Sequence, residues 1–403
     1  MARYDLAVVG GGVSGLSLAW RAARDGRSVI LLERSPRLGG CVRTERTDGG
    51  YWFELGAHTA YNSYGAFLDL AVASGLRDAV VERGPARARF GLLRQGEARW
   101  LTPPRVLLEL GWLEAAVHLP AGLLASRRGQ TLYSHFSRLL GRRNYDRVLG
   151  PFLSAVPSQR ADGFPLEGPG SLFKKRPRRA GFPRSFGFRD GLQSVCDAAG
   201  RTEGIAVERG VEVTGLARGG PGFTLSVAGG RTIEASLAAL AVPADAAAPL
   251  LRGDFPELAA LVARVGTATV ESVGVVLPRE RCWMPECAFL VPVDDSFFSC
   301  VTRDPFPDPS RRAFAFHFRP TTTREERLAR VLEVLRAGER DLLHLAEARV
   351  VLPAPALGHG ELVAEIDRCL APTRLALTGN YFDGLAIEDC AGRSEREWRR
   401  LSR

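Results

Sequence analysis

Between residues 10 and 33 the chain spaces its glycines and one acid as phosphate and ribose recognition requires. Gly10-Gly11-Gly12-Val13-Ser14-Gly15 reads G-x-G-x-x-G. It comes directly after Asp5 to Val9, a mostly apolar run of the kind that forms a buried parallel strand. Gly10 permits a tight turn, Gly12 lets a pyrophosphate approach the backbone, and Gly15 lets the next helix lie close on the strand. The first N–H groups of that helix then face phosphate. Leu16 to Arg24 supplies the helix and Asp25-Gly26 ends it. A second strand, Ser28 to Leu32, runs into Glu33, about 20 residues past the glycines, where a carboxylate accepts both hydroxyls of a ribose. Glu33 argues for an adenosine with a free 2′-OH.

The residues after Glu33 separate two kinds of dinucleotide fold. A plain nicotinamide fold would move on to another helix. Here Arg37-Leu38-Gly39-Gly40-Cys41-Val42-Arg43-Thr44 sets a second glycine pair beside two arginines. Paired glycines admit close backbone approach, and arginine meets phosphate with a fork of donors. Phe53-Glu54-Leu55-Gly56-Ala57-His58 comes next. The R-x-G-G-x-x-x-T run and this second segment together resemble the flavin-dependent amine oxidase superfamily, where both wrap FAD.

The tail sharpens the resemblance. A buried strand, Arg374 to Thr378, leads into Gly379-Asn380-Tyr381-Phe382-Asp383-Gly384-Leu385-Ala386-Ile387-Glu388-Asp389-Cys390, a Gly-Asn turn and a second glycine that opens a helix. Such a helix end aims N–H groups and dipole at an electron-rich flavin carbonyl oxygen and stabilises the reduced ring. The run is similar to the protoporphyrinogen oxidase branch of the superfamily. Pro353 to His359, Gly150 to Val156 and Ser185 to Gln193 resemble that branch as well.

The resemblance implies an α/β chain: an FAD-binding Rossmann-like domain of the glutathione-reductase type, with a mixed α+β substrate-binding domain. The first would comprise residues 1–75, 185–250 and 355–403; the second, 76–184 and 251–354, with its helical part at about 104–160. FAD would be bound non-covalently. Carried over position by position, Gly10, Gly12, Val13, Ser14 and Gly15 would hold pyrophosphate, Glu33 the ribose, and Arg34, Gly39, Gly40 and Arg43 the rest of the cradle. Gly56, Ala57 and His58 would line the flavin, and Leu216 would offer backbone to adenine. Gly379, Asn380, Gly384, Leu385, Ala386 and Ile387 would hold ribityl and ring.

Amine-oxidising relatives place a lysine beside flavin N5 and two aromatic rings as a cage. In this chain the lysines are Lys174 and Lys175, both in one basic loop far from the expected site, and Tyr381 alone stands at a cage position, so amine oxidation is disfavoured. A porphyrinogen-like ring needs no strong protein base, because aromatic conjugation drives hydride loss and the protein positions the ligand. Arg89 matches the arginine inferred to meet a propionate, and Tyr381 would stack near the flavin; these two are the substrate-positioning candidates. His58, His317 and His359 are read as structural. The leading expectation that the resemblance implies is an FAD-dependent oxidoreductase that takes hydride from a substrate carbon to flavin N5, a protoporphyrinogen oxidase-like enzyme acting on a carboxylate-bearing small molecule and reoxidised by oxygen or a quinone. Alternatives are a flavin oxidase or desaturase of secondary metabolism, an FAD-dependent sugar-nucleotide mutase of the UDP-galactopyranose type, and a non-catalytic FAD-binding scaffold.

Composition bounds the partners. The 403 residues are 45% hydrophobic and carry a net charge of +9 that is almost wholly arginine. That surface suits carboxylates, phosphates or an anionic membrane, and no aromatic-rich basic module points to nucleic acid. Seven cysteines lack a disulfide or metal rhythm; Cys282-x4-Cys287 has no partner pair, so no metal is expected. Met1 to Asp5 leave no room for a signal peptide, and the cytoplasm is the expected compartment. The stretch Val106 to Ala125 reads either as a pair of buried helices or as a patch dipping into a membrane face, with Glu109 and Glu114 opposing deep insertion.

Overall fold

The computed structural model describes residues 3–403. Its first sheet assembles strands from three separated stretches of chain, in the order Ile205–Arg209, Val29–Glu33, Arg3–Val9, Thr232–Leu240, Gly222–Val227, Val213–Gly219, with Leu375–Leu377 also paired to Thr232–Leu240. The five strands 205–209, 29–33, 3–9, 232–240 and 375–377 run parallel. Leu6, Val8, Val29 and Leu31 face one layer of core and Ala7, Val9, Ile30 and Leu32 the other. Burial on both faces explains why these strands read as continuous apolar runs.

Helix Val13–Arg24 covers one face beside the C-terminal helix Ile387–Leu401. Ser394 Oγ donates to Ser14 O at 2.8 Å, which fastens the two ends of the chain. The other face carries Ala244–Leu251, Pro256–Val262 and His359–Leu370. Residues 251–262, placed in the second domain from sequence, therefore pack on the first sheet: Phe255, Leu258, Ala259 and Val262 join its core. Val80–Glu82 likewise pairs with Ser185–Phe188, so the stretch just beyond residue 75 stays with the first lobe.

The second sheet runs His344–Pro353, Thr267–Pro278, Arg311–Phe318, Phe297–Thr302, Phe289–Val293, Phe90–Arg94, Glu97–Leu101. All pairings are antiparallel except Phe289–Val293 with Phe90–Arg94. The hairpin of Phe90–Arg94 and Glu97–Leu101 turns at Gln95 and Gly96, both with positive φ, as a two-residue hairpin loop requires. A helix packs on this sheet. It spans Arg324–Leu335, capped by Thr323 and Glu326, and closes on a left-handed Arg336. His344–Pro353 is a strand, paired residue by residue along the whole of Thr267–Val276.

In the helical arm, helix Trp112–Leu124 runs straight through Pro120. The break falls at Gly111, where the preceding helical turn Pro103–Glu109 meets it at 102°. Buried Asn144 holds this corner. Its Oδ1 accepts from Gly111 N at 2.6 Å, and its Nδ2 donates to Gly111 O and Leu140 O at 3.1 and 2.7 Å. Residues 142–155 continue as one helical run with a π turn at Tyr145–Leu149.

Candidate active site

The glycine turn admits no side chain at its two tightest points. Gly10 has φ +104, and a Cβ on Gly15 would stand 1.9 Å from Gly10 O. The second glycine pair folds back onto this turn: Gly39 N donates to Gly11 O at 2.8 Å, and Gly12 and Gly39 form a parallel bridge. A Cβ on Gly40 would sit 3.2 Å from Gly12 Cα. The two glycine loops thus face each other as bare backbone, a channel that side chains at Gly12 or Gly40 would fill. Helix Val13–Arg24 begins there with no side-chain cap and no acid in its first turn, so its leading N–H groups and dipole are left for a phosphate.

Glu33 stands at the end of its strand, its Oε2 accepting from Gly11 N at 2.6 Å and its Oε1 from Ser35 N at 2.8 Å. Each oxygen keeps a further lone pair for a ribose hydroxyl. The backbone that reaches Glu33 from the meander is Gly210 and Val211: Val211 N donates to Glu33 O at 3.0 Å and Gly210 N to Ser35 O at 3.2 Å. Leu216 pairs with Leu225 and turns its side chain into the core. The arginines divide otherwise than expected. Arg34 is exposed; Arg43 pairs with Glu45 at 3.1 Å and donates to Glu347 O of the second sheet. Arg37 holds the glycine loop, donating to Gly40 O at 2.8 Å and Val42 O at 3.0 Å.

The C-terminal segment closes the cradle. Asn380 Nδ2 lies 4.0 Å from Cys41 Sγ, directly after Gly40, and buried Thr378 shares a hydrogen bond with Ser394 at 2.7 Å. Gly384 and Leu385 lead to Ala386, whose N–H is capped by Asp389 Oδ2 at 3.3 Å, and Ile387 packs inward as the helix starts. Leu385 touches the helical part of the second lobe. Lys174, expected far away, comes to this segment: its Nζ pairs with Asp389 at 2.9 Å and donates to Asp383 O. Arg176 meets the same carboxylate at 2.6 Å. The basic loop is a clasp on the tail, and its lysine is consumed by an ion pair.

Gly56 and Ala57 turn under Cys41, Ala57 N donating to Cys41 O at 3.1 Å. They deliver His58 to the boundary between lobes. His58 Nε2 lies 2.8 Å from His317 Nε2, and His317 Nδ1 lies 2.8 Å from Ser272 Oγ. Burial, then the neighbouring His317, pushes His58 well below its ordinary value; burial alone takes His317 down to about 4. Both rings are neutral at pH 7 and pass one hydrogen-bond direction along the chain to Ser272. Nearby Glu54 is buried and moves the other way: burial raises it to about 8, against the bonds it accepts from Leu192 N at 2.7 Å and Thr44 Oγ1 at 2.8 Å.

Neither substrate-positioning candidate reaches His58. Tyr381 is packed within the first lobe, 1% exposed, its ring 4.5 Å from that of Phe382. Arg89 is exposed, reaching Glu286 O at 3.4 Å. Beside His58, Trp52, Arg83, Arg303 and Phe306 line a narrow recess with room for little more than a water molecule, about 20 Å³. Arg83 and Arg303 escape a reading of residues alone, because each is one arginine of many and their meeting depends on both lobes.

The residues present fit FAD: a side-chain-free phosphate channel, a carboxylate at ribose distance from it, and a helix start beside the Asn380 turn. The model of the family described as flavin containing amine oxidoreductase matches residues 13–338. The coproporphyrinogen III oxidase of Propionibacterium freudenreichii subsp. freudenreichii is 26% identical over 96% of this chain and 88% of its own length. Among solved structures, a protein of Exiguobacterium sp. 255-15 provisionally assigned as a protoporphyrinogen oxidase superposes with a TM-score of 0.80 at 20% identity, covering 100% of this chain and 99% of that one. A reduced UDP-galactopyranose mutase gives 0.73 at 14% identity over 99% and 95%. These two structural likenesses speak to the fold. With a family match over most of its length and a cradle that fits the cofactor, the chain belongs to the flavin containing amine oxidoreductase family and is an FAD-dependent oxidoreductase that holds FAD non-covalently.

Proposed function

We propose that the enzyme oxidises a porphyrinogen-type ring bearing carboxylate arms. The observation that carries this reading is the near end-to-end similarity to a coproporphyrinogen III oxidase. The chemistry of the site agrees with it. Bound FAD supplies the hydride acceptor at N5; oxygen or a quinone restores it. The chain's own groups orient and enclose. His58 and His317 present neutral nitrogen at the boundary of the lobes, a polar wall and not a strong base, which suffices where gained conjugation drives the reaction. Lys174 is neutralised by Asp389 and so offers no free amine for amine-oxidase chemistry. Anaerobic addition of coproporphyrinogen III is expected to bleach the flavin; turnover of UDP-galactopyranose without net redox, and no bleaching, would replace this reading with the mutase.

The helical arm points to where the substrate is met. Helix Trp112–Leu124 turns its small residues inward: Ala115 and Gly122 are buried, with Gly122 close against Leu139. Its large apolar residues face out, Leu113 and Leu124 89% exposed, Val117 78% and Trp112 57%. The two acids that opposed insertion are both engaged: Glu109 pairs with Arg94 and Arg99, and Glu114 accepts from Arg143 N. Exposed Arg105 and Arg128 flank the patch in the chain, with Arg127 paired to Glu167 and Arg142 to Asp146. An apolar face rimmed by arginine fits an anionic lipid surface. A second copy fits less well, since the two rims would repel. Among the described residues no single helix is long and apolar enough to cross a membrane, so the contact is interfacial. Vesicles containing phosphatidylglycerol should retain the protein and phosphatidylcholine vesicles should not. Equal retention, or a dimer sealed by this face, would end the lipid reading.

A further inference from the structure

We infer that the basic strap of residues 171–184, through Lys174 and Arg176, leaves one uncompensated positive charge at the flavin end of helix Ile387–Leu401 and so sets how readily the bound flavin accepts electrons. The inference rests on the flavin cradle and is independent of which substrate the enzyme takes.

Residues 171–184 form neither helix nor strand, yet they are pinned along the first lobe. Gly170 N donates to Asp383 O at 2.6 Å just before the strap begins, and Arg179 N donates to Asn62 O at 2.7 Å farther on. Arg179 also pairs with Asp69 at 2.7 Å, and the Arg176 guanidinium lies over the Tyr64 ring at 5.8 Å. Lys174 reaches the tail itself. Its Nζ donates to Asp383 O and stands 3.0 Å from where a Cβ on Gly384 would be; Asp389 Oδ2 stands 2.7 Å from the same point. Gly384 has no positive φ, so its backbone would suit any residue, and what the glycine supplies is room for this ion pair. Of the chain's 54 basic side chains two are lysines, Lys174 and Lys175, and a compact ammonium suits so narrow a gap better than a planar guanidinium.

Glu388 and Asp389 fall in the first turn of helix Ile387–Leu401. Acids there steady a helix but offset its positive end toward a ligand, the wrong sign beside a ring that gains negative charge on reduction. The chain deals with the two separately. Glu388 turns away to the start of helix Gly65–Ala73, accepting from Ala66 N at 3.0 Å and Phe67 N at 3.1 Å, so its charge is met by the positive end of that helix. Asp389 stays at the turn, its Oδ2 accepting from Ala386 N at 3.3 Å. Both cations meet its Oδ1, Lys174 at 2.9 Å and Arg176 at 2.6 Å. The carboxylate of Asp383 is engaged by Arg396. Two cations against one carboxylate leave a positive charge over. The Lys174 and Arg176 side chains are 20% and 21% exposed, so water screens that charge only in part.

The test is the reduction potential of the flavin in the purified holoenzyme, titrated anaerobically with dithionite against a reference dye of known potential and with no substrate present. Lys174→Gln and Arg176→Gln should each move the equilibrium with the dye about tenfold toward oxidised flavin, as loss of one partly screened charge implies, which is about 30 mV to the negative for two electrons. Arg176→Lys should titrate as wild type. Asp389→Asn keeps an oxygen for Ala386 N and removes the negative charge, so it should move the equilibrium the other way. Breaking either side of an ion pair loosens the strap alike; opposite signs therefore separate the charge from simple anchoring. Shifts of one sign in the Lys174 and Asp389 variants, or equilibria within twofold of wild type in all of them, would overturn the inference. Should Lys174→Gln lose its flavin, Arg176→Gln against Asp389→Asn decides. Opposite shifts in an enzyme whose flavin coproporphyrinogen III leaves coloured would keep this inference and end the porphyrinogen reading; unshifted variants of an enzyme that coproporphyrinogen III bleaches would do the reverse.

Discussion

The glycine cradle and the helical arm are built on opposite rules. At Gly10, Gly15 and Gly40 backbone meets backbone so closely that side chains have little or no room, and the helix that starts there is left uncapped. Across Trp112–Leu124 the packing is reversed: the small residues are inside and the large apolar ones meet solvent. The contrast teaches that the cradle is shaped by a ligand threaded through the backbone, whereas the arm is shaped by a surface it lies against. Substitutions should therefore be ruinous in one region and silent for folding in the other.

The largest effect is expected at Gly15. Gly15→Ala puts a Cβ 1.9 Å from Gly10 O, and because backbone must move the loss should exceed the roughly 3 kcal/mol of ordinary overpacking; thermal melts and retained flavin report it. Gly163, in the helical part, has no atom within 4 Å of its would-be Cβ, and Gly163→Ala should melt with wild type. A tolerated Gly15→Ala would break the comparison.

Two pH effects of opposite sign sharpen it at the boundary. Glu54 titrates at about 8 folded against 4.5 ordinarily. Its folded value is raised, so the stability it contributes is complete below 4.5 and is lost as pH rises through 8, on the order of a few kcal/mol. Glu54→Gln should flatten the alkaline limb of a Tm profile. His317 titrates at about 4 against 6.5. Its folded value is depressed, so stability is complete above 6.5 and falls as pH drops toward 4, on the order of 3 kcal/mol. His317→Gln should flatten the acid limb. Unchanged limbs would show that these groups are not buried as described.

The smallest effect on folding belongs to the arm. Leu113→Glu with Val117→Glu should leave stability within about 0.5 kcal/mol of wild type, as surface changes do, yet abolish retention on phosphatidylglycerol vesicles. A double variant that fails to fold would show the arm to be core.

The difference between regions also governs what could be read from residues alone. The cradle was legible because its constraints are local: Gly10 to Gly15, Glu33 and Gly39-Gly40 lie within one strand-turn-helix unit, and positive φ or close approach leaves only glycine. The C-terminal turn was legible by family resemblance. Arg37 was underweighted because a loop staple and a phosphate ligand look the same in sequence. Arg83 and Arg303 lie 220 positions apart, and their meeting is a property of the assembled sheets. Tyr381 packs beside Phe382 and Leu216 turns its side chain into the core opposite Leu225, contacts that only the assembled lobe creates. The corner of the arm lies at Gly111 because Asn144, 33 positions on, holds it there.

The central claim is that a flavin held between the two chain ends takes hydride from a carboxylate-bearing porphyrinogen at the boundary of the lobes. Stopped-flow mixing of the purified yellow enzyme with coproporphyrinogen III, without oxygen, tests it most directly. The account predicts loss of the flavin's visible absorbance together with the appearance of porphyrin fluorescence. A flavin that stays oxidised while coproporphyrinogen is present in excess would contradict it.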